Sequence, residues 1–316
     1  MLRYIVKRLL LLIPVLIGVS FIVYFISSSN TDAVVWRVGG ADMTEEQFAE
    51  LNTKLGFDRP IWVRYAEYMS RLMRGDLGRS HLNNKDVFAT WIAAVPVTIR
   101  LSFFSVLVSI LISLPLGIIA ALKRGTLIDN GSMVVALLGL SIPNFWLGLM
   151  LIVVFSVGLG WFPTGGIRDG LKSFILPAIT VGTGMTANLT RQTRSSMLDV
   201  IRQDYLRTAR AKGVPERRVI LHHALRNALI PIITVIGGQI AATLAGSALT
   251  ETVFALPGVG RVLVNAINTY DFNVVTGCVM LKALVTALIH LVVDMLYAFV
   301  DPRIKAQFAG GGKKHG

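Results

Sequence analysis

Apolar residues in this chain are concentrated in six long segments, and most charged residues lie in the stretches between them. The segments cover residues 9–27, 97–122, 132–161, 174–193, 229–254 and 274–300. A helix crosses a bilayer in roughly 20 predominantly apolar residues, because lipid offers no partner for an unpaired backbone group. The pattern therefore predicts an all-α, polytopic membrane protein with six transmembrane helices.

Two of the six segments differ from a uniform apolar helix. The third is long and contains Pro143, which interrupts a helix because proline lacks the backbone N–H. The fourth is the least hydrophobic, and among its glycines it carries Thr180, Thr183, Thr186, Asn188 and Thr190. We still interpret both as membrane spans.

The basic residues that flank the segments predict the orientation, since Lys and Arg favour the cytoplasmic side of short loops. An N-terminus inside the cell places the following residues in the cytoplasm: Arg3, Lys7, Arg8, Lys123, Arg124, the basic stretch around residue 210, and Arg303, Lys305, Lys313 and Lys314. The short outer loops then hold only Arg168, Lys172 and Arg261. Both termini are therefore predicted to be cytoplasmic.

This topology divides the chain into three parts. Residues 1–28 form the cytoplasmic N-terminus and first span, 29–95 an external domain, and 96–316 the main membrane domain with a cytoplasmic loop at 195–228. The first span could also be a cleavable signal peptide. Its apolar run exceeds the roughly 7–15 residues of a signal core, and five further spans follow, which favours an uncleaved helix.

Residues 29–95, which we call the first-loop segment, contain two predicted helices. Thr44 is a candidate N-cap with Gln47 three residues later, and Pro60 can begin a second helix that runs to Met73. Five apolar side chains of this second helix share a face: Trp62, Tyr65, Met69, Leu72 and Met73. That face either packs on the membrane helices or receives an external partner.

Composition supports the membrane interpretation. Of 316 residues, 53% are hydrophobic and only 16% charged, with a mean hydropathy of +0.64. The net charge of +13 is explained by the topology, and no basic stripe lies on a soluble domain, so nucleic-acid binding is not expected. Cys278 is the only cysteine, which excludes an internal disulfide.

No motif for covalent chemistry is present. The sequence lacks a Walker-type loop, a nucleophile elbow and a His or Cys cluster with metal-ligand spacing. We expect the chain to be no enzyme by itself and to hold no cofactor or metal. Transport against a gradient would then need an ion gradient or another subunit.

An ion-coupled carrier would keep ionisable groups deep in its spans. The candidates are Lys282, His290 and Asp294 in the last segment, and His290 and Asp294 are spaced to pair locally on one helix face. Glu251, near the outer end of the fifth segment, is either an interfacial residue or part of an outer gate.

A cation-rich stretch at residues 204–231 stands out in this apolar chain, and we call its part at 204–228 the knob. Good helix formers cover 195–211, Gly213 permits a sharp turn, and Pro215 can begin a return helix at 216–227. Small Ala209 and Ala211 beside arginines suit insertion into a cleft of a cytoplasmic partner. Attraction to anionic lipid headgroups is the alternative.

Ordered motifs along almost the whole chain resemble those of ABC importer permeases, and more narrowly the first permease subunit of the dipeptide, oligopeptide and nickel group. The motifs are Leu55 to Pro60, Gly75 to Gly78, Ser141 to Trp146, Leu176-Pro177, Arg194 to Met197, Tyr205 to Gly213, His223 to Ala228, Pro257 to Arg261 and Asp301 to Ile304.

The resemblance implies a division of labour. Two related permease subunits pair around a pathway, two cytoplasmic ATPase subunits bind ATP and Mg beneath them, and an external binding protein delivers the solute. It also implies a bacterial or archaeal cytoplasmic (inner) membrane. The contact with the ATPase would be a coupling helix formed by Asp204, Tyr205, Leu206, Arg207, Thr208, Ala209, Arg210, Ala211, Lys212 and Gly213.

Four polar positions on spans that would meet the partner permease are candidates for the translocation pathway: Ser141, Asn144, Asn188 and Gln239. The alternative for each is a hydrogen bond to a neighbouring helix. Peptide is the expected cargo because most of the family resembles peptide importers. Nickel or a metal chelate is the alternative cargo, although Cys278, Met280 and His290 are too scattered to argue for it. An ion-gradient-driven carrier and a membrane scaffold are the alternatives of another class.

Overall fold

The computed structural model describes residues 2–244 and 247–300, and in this part of the chain the regular structure is helical, apart from one isolated β-bridge between Arg79 and Asp86. The helices are α1 Leu2–Ser28, α2 Thr31–Gly39, α3 Glu45–Lys54, α4 Ile61–Met73, α5 Val87–Leu122, α6 Leu127–Ser141, α7 Asn144–Leu151, α8 Lys172–Ile201, α9 Asp204–Ala211, α10 Glu216–Arg218, α11 Leu225–Leu244, α12 Ala248–Val253, α13 Val259–Asn268 and α14 Phe272–Val300. Two π-helical stretches, Ile152–Gly158 and Val219–Ala224, continue α7 and α10.

Four of the described helical stretches are long and apolar enough to cross a membrane: Arg8–Ser28, Val87–Leu122, Glu216–Leu244 and Phe272–Val293. The pair formed by α6 and α7 with its π-helical extension makes a fifth if it is one span. The polytopic, all-helical class is thus confirmed. Helix α8 covers the predicted fourth segment but is more polar, so the count of six spans and the topology stay predictions.

The third predicted segment, 132–161, is not a single helix. The chain bends by 92° between Leu127–Ser141 and Asn144–Gly158. Ile142 is extended there, at φ −82° and ψ 122°, because the residue before a proline is pushed out of the helical region. The segment is therefore a broken span or a re-entrant loop.

The fifth predicted segment, 229–254, also differs from the structure. Helix α11 begins earlier, at Leu225, and ends at Leu244, while Ala248–Val253 form the separate short helix α12. Helix α12 packs against α7 and α13 instead of extending α11.

Helices α5 and α8 pack closely along the centre of the described fold. A Cβ atom at Gly182 would lie 2.7 Å from the carbonyl oxygen of Ser105, and one at Gly117 would lie 2.5 Å from Cβ of Thr193. Serine hydroxyls line the same side of α5, with Ser105, Ser109 and Ser113 fully buried. Small residues at a helix interface let the backbones approach, as is common in membrane bundles.

The two predicted helices of the first-loop segment are confirmed as α3 and α4. Thr44 Oγ1 accepts from the Gln47 N–H at 3.3 Å, and Gln47 Oε1 accepts from the Thr44 N–H at 2.9 Å, so the capping box is formed. Helix α4 packs on α1, where the hydroxyl oxygens of Tyr65 and Ser20 are 2.9 Å apart. The apolar face thus packs on a membrane helix, although Trp62 and Met73 remain 63% and 79% exposed.

Candidate functional site

The knob is anchored to the membrane helices by a buried apolar cluster. Leu206 of α9 is 0% exposed and belongs to one cluster of buried residues with Met197 of α8, Val219 and Ala224 of the π-helical stretch, and Ile232 of α11. A leucine buried in this way contributes about 1.5–3 kcal/mol relative to an exposed one. Helix α9 is therefore joined to both α8 and α11.

Polar contacts close the knob on itself. The Arg210 guanidinium donates to both carboxylate oxygens of Glu216, at 3.0 and 2.9 Å, and this contact lowers the pKa of Glu216. Asn227 Nδ2 donates to the Tyr205 hydroxyl at 2.6 Å. Gly213 lies at φ +75°, which confirms the predicted turn. The knob is a compact hairpin.

The ten predicted coupling residues divide into two groups. Leu206 is buried, Ala209 is partly buried and Arg210 is held by Glu216, so these three maintain the knob. The remaining seven are exposed and available to a partner: Asp204, Tyr205, Arg207, Thr208, Ala211, Lys212 and Gly213. The predicted helix 195–211 is broken at 202–203, which separates α9 from α8.

A buried ion pair joins α8 to α6 close to the knob. Arg194 Nε and Nη2 donate to the two carboxylate oxygens of Asp129 at 2.7 and 2.8 Å, and the Gly125 N–H donates to the same carboxylate at 3.0 Å. The Asp129 side chain is only 3% exposed. Such bidentate, charge-assisted pairs fix geometry as well as adding energy.

The sequence reasoning missed this ion pair. In the sequence, Arg194 belongs to the motif Arg194 to Met197, whereas Asp129 belongs to none of the motifs. The available signal was an aspartate at the start of an apolar segment, since an ionisable residue in such a place usually has a partner. Its partner, 65 residues away, was not evident from spacing.

The four pathway candidates do not behave alike. Gln239 is buried, and its Nε2 donates to the Met185 carbonyl at 3.0 Å, so it fits the alternative of a bond between helices α11 and α8. Ser141, Asn144 and Asn188 are exposed in this chain. Ser141 Oγ donates to the Leu137 carbonyl of its own helix at 3.0 Å.

Asn144 and Asn188 lie on neighbouring parts of one surface beside the 92° bend. A Cβ atom at Gly184 would be 3.0 Å from Asn144 Oδ1, and Asn188 is one turn further along α8. Asn144 is the first residue of α7. The bend therefore brings the amide of Asn144 against α8, which the sequence alone did not indicate.

Glu251 belongs to the interior of the fold and not to an interface. It is 0% exposed, and its carboxylate accepts from Thr98 Oγ1 at 2.8 Å and from the Arg261 N–H at 3.0 Å. Thr98 Oγ1 in turn accepts from the Val259 N–H at 2.9 Å. The carboxylate thereby holds the start of α13 against α5.

Among the described residues, the candidates for a metal site or a proton relay do not come together in a cluster. Within residues 2–244 and 247–300, no group of three or more His, Cys, Asp or Glu residues is placed to hold a metal ion. His290 Nδ1 lies 2.8 Å from the Thr286 carbonyl oxygen of its own helix. The side chain of Asp294 and the motif at 301–304 lie outside the described residues.

Comparison with known families gives matches over nearly the whole chain. Residues 113–306 match the model of "Binding-protein-dependent transport system inner membrane component", and residues 1–102 match "Binding-prot-dependent transport system membrane comp, N-term".

Individual relatives agree. The chain is 41% identical to the di/tripeptide transport system permease protein DppB of Pseudomonas aeruginosa, over 97% of this chain and 100% of that protein. It is 38% identical to the dipeptide transport system permease protein DppB of Escherichia coli K12, over 96% and 99%. The glutathione transport system permease protein GsiC of Escherichia coli O6:H1 is 40% identical, also over 96% and 99%.

A solved structure shares the fold. An inward-facing structure of the MetNI methionine ABC transporter superposes with a TM-score of 0.56 at 21% identity, and the match covers 68% of this chain and 97% of that one. At this identity the likeness concerns the fold alone.

Proposed function

Since this chain belongs to the family of binding-protein-dependent transport system inner membrane components, we propose that it moves short peptides and that the knob links it to an ATPase. The chain is a membrane permease component of a binding-protein-dependent importer. This assignment favours an ATP-driven system over the ion-gradient carrier and the scaffold. The observation that carries the coupling proposal is the burial of Leu206 in a cluster that includes residues of α8 and α11.

The proposed cargo is a di- or oligopeptide. The relatives are named for dipeptides, di/tripeptides, oligopeptides and glutathione, which are all short peptides. Those names favour peptide over nickel or a metal chelate. Residue contacts within this chain do not distinguish among peptide lengths.

The proposed coupling runs through residues in contact. A displacement of α9 would be transmitted to Met197 of α8 and Ile232 of α11, because both belong to the buried cluster that contains Leu206. Helix α8 passes the movement to α6 through the Arg194–Asp129 ion pair and through the close approach of Gly139 to Thr183. Packed interiors transmit such displacements because they are close to incompressible.

The proposed pathway surface lies at the other end of that connection. Helix α6 leads directly into the bend at Pro143, after which Asn144 meets α8 near Asn188. Ser141, Asn144 and Asn188 present polar groups outward, as a peptide backbone would require. We assign Gln239 to helix packing instead.

The remaining parts of the complex are proposed from the family. A second permease subunit completes the pathway, two cytoplasmic ATPase subunits hydrolyse ATP, and an external protein delivers the peptide. The chain would cross the cytoplasmic (inner) membrane six times, with α8 as the fourth span and both termini inside. This chain itself would hold no nucleotide, metal or other cofactor and would bind no nucleic acid.

The test is a charge reversal on the exposed side of α9. Arg207→Glu leaves the buried cluster and the Arg210–Glu216 pair untouched, whereas Arg210→Glu would break the knob itself. A like charge placed in an interface costs several kcal/mol, so ATPase association and ATP-dependent dipeptide uptake should fall by more than about tenfold. Uptake is measured in proteoliposomes that contain the whole complex.

The matched control is Arg37→Glu, which reverses an exposed arginine of α2 far along the chain. It should leave ATPase association and uptake within about twofold of wild type, because most surface substitutions are close to neutral. If Arg207→Glu retained both ATPase association and uptake, the assignment of α9 as the coupling helix would be wrong.

A further inference from the structure

A cavity of about 440 Å³ lies between α4, the outer end of α1 and the start of α14. Its lining includes Tyr24 of α1, Arg64 and Arg71 of α4, His81, and Asn273 of α14. The coupling and pathway proposals do not use it. We call it the arginine pocket.

The arginine pocket carries an excess of positive charge. Three arginines line it, Arg59, Arg64 and Arg71, against one carboxylate, Glu67. Arg59 Nη1 and Glu67 Oε1 are 2.6 Å apart, so that pair neutralises itself. Arg64 and Arg71 remain as two cationic groups facing one cavity.

The guanidinium group of Arg64 lies over an aromatic ring, and one of its hydrogen-bond donors has no partner among the described residues. Its guanidinium carbon lies 5.5 Å from the centre of the Phe57 ring, and its buried Nε has no acceptor within the described residues. A buried donor without a partner is destabilising, because it has lost its hydrogen bonds to water. An acceptor bound in the pocket would remove that cost.

Apart from the paired Arg59 and Glu67, the other polar groups of the pocket are neutral. Burial lowers the pKa of His81, so its ring adds hydrogen-bonding capacity at neutral pH and no charge. Asn273 Nδ2 already donates to the Arg79 carbonyl at 2.9 Å. The pocket therefore suits a single anionic group surrounded by neutral contacts.

The neighbouring aromatic residues indicate the depth of the pocket. Tyr24 is one turn from the end of α1 at Ser28, and Asn273 is the second residue of α14. Beside them, Trp62 packs on Phe25 with ring centres 4.9 Å apart and is largely exposed. Trp and Tyr concentrate at the headgroup level of a bilayer, where one end of the side chain is apolar and the other wet.

The pocket is built by helices away from the proposed pathway. Helix α4 packs on α1, α1 on α14, and α14 on α5 and α11. The pathway candidates Ser141, Asn144 and Asn188 lie on α6, α7 and α8. A transported peptide is therefore the wrong occupant, whereas α1 exposes Phe21, Ile22 and Ile26 as a membrane-facing helix would.

We propose that the arginine pocket binds the phosphate group of a phospholipid from the external leaflet, with Arg64 and Arg71 as the charge-assisted donors. Guanidinium groups match phosphate oxygens in geometry, and Arg is favoured wherever phosphate is recognised in this way. The lipid would fasten α4 to α1 and α14. This inference rests on the external location of the first-loop segment under the proposed function.

The test measures lipid retained by the purified complex. Native mass spectrometry in mild detergent, with phosphatidylglycerol titrated in, compares wild type with the double variant Arg64→Gln/Arg71→Gln. The double variant should lose at least about tenfold in lipid affinity, since it removes both charge-assisted donors to the phosphate. Arg74→Gln, an exposed arginine of the same segment that does not line the pocket, should bind as wild type does.

Two further arms make the outcome decisive. Arg64→Lys/Arg71→Lys keeps the charge and should retain intermediate affinity, which separates loss of the site from misfolding. Equal lipid retention in wild type and in Arg64→Gln/Arg71→Gln would overturn the proposal. If that variant retained lipid but bound the external delivery protein or free inorganic phosphate more weakly, the pocket would serve one of those ligands, and the proposal would also be wrong. Arg207→Glu should not alter lipid retention, so failure of the coupling proposal is seen separately.

Discussion

The knob and the first-loop segment are both polar excursions from an apolar chain, yet they are attached in different ways. In the knob, Leu206, Val219 and Ala224 are fully buried in a cluster shared with α8 and α11. In the first-loop segment, α3 has no buried residue and α4 buries only Tyr68, while the last part of the segment joins a buried cluster with α13 and α14 through Leu77, Val87 and Trp91. The knob is thus attached through a buried core, whereas α3 and α4 rest on the edge of the fold.

Apart from the buried cluster at its C-terminal end, the first-loop segment is held by separate polar contacts. Tyr65 meets Ser20 on α1, and Ser80 donates to the carboxylate of Asp271 beside α14. Helices that bury few residues, as α3 and α4 do, open locally at low free-energy cost, whereas a segment held by a core opens with the whole domain. The difference suits a knob that transmits movement to the membrane helices and a first-loop segment that can adapt its position.

The largest effect is expected at Leu206, which anchors the knob in its buried cluster. Leu206→Ala should cost about 2–5 kcal/mol, because it leaves a cavity in the cluster that joins α9 to α8 and α11. Hydrogen–deuterium exchange across 204–228 should rise, and ATP-dependent uptake should fall while ATPase subunits still bind in part. Leu221→Ala, the same substitution at an exposed leucine of the knob outside the predicted coupling residues, is the control. Unchanged exchange in Leu206→Ala would mean that the knob is not held by this core.

The ion pair between α6 and α8 gives the next largest effect. Asp129→Asn should lower stability by about 1–3 kcal/mol, since it removes a charge-assisted pair and leaves Arg194 half-buried and uncompensated. A double-mutant cycle with Arg194→Gln, followed by thermal unfolding of the complex, measures the coupling. Asp199→Asn, at an exposed position of α8, should have little effect. A coupling free energy near zero would contradict the proposed link from α8 to α6.

The smallest effect is expected at the tie of the first-loop segment. Ser80→Ala removes the hydroxyl that bonds the carboxylate of Asp271 and should cost about 1 kcal/mol. Exchange should rise in residues 76–86 and stay unchanged in the knob. The exposed Ser29→Ala serves as the control. An equal rise of exchange in the knob would show that the two regions are not independently attached.

Local patterns in the sequence predicted the elements that depend on neighbouring residues. The capping box of Thr44 and Gln47, the turn at Gly213 and the helix before Met73 all follow from residues within one or two turns. The apolar segments predicted the membrane class because every span must satisfy its own backbone. Where a proline lies inside a segment, however, the pattern does not state the angle of the break.

Contacts between distant residues were not predictable in the same way. The Asp129–Arg194 pair joins residues 65 apart, and the Thr98–Glu251 bond joins residues 153 apart. The predicted coupling helix includes Leu206 together with exposed residues because it lies among them in the sequence. Its burial depends on which side of α9 meets α8 and α11.

The amino-acid sequence by itself determined the all-helical membrane class, the basic knob and the family, because hydrophobic length and local motifs carry that information. The tertiary structure decided three further matters: the 92° bend at Pro143, the anchoring of the knob through Leu206, and the gathering of Arg64 and Arg71 around one cavity. Each depends on how helices pack against one another, and packing is set by side chains that are far apart in the chain.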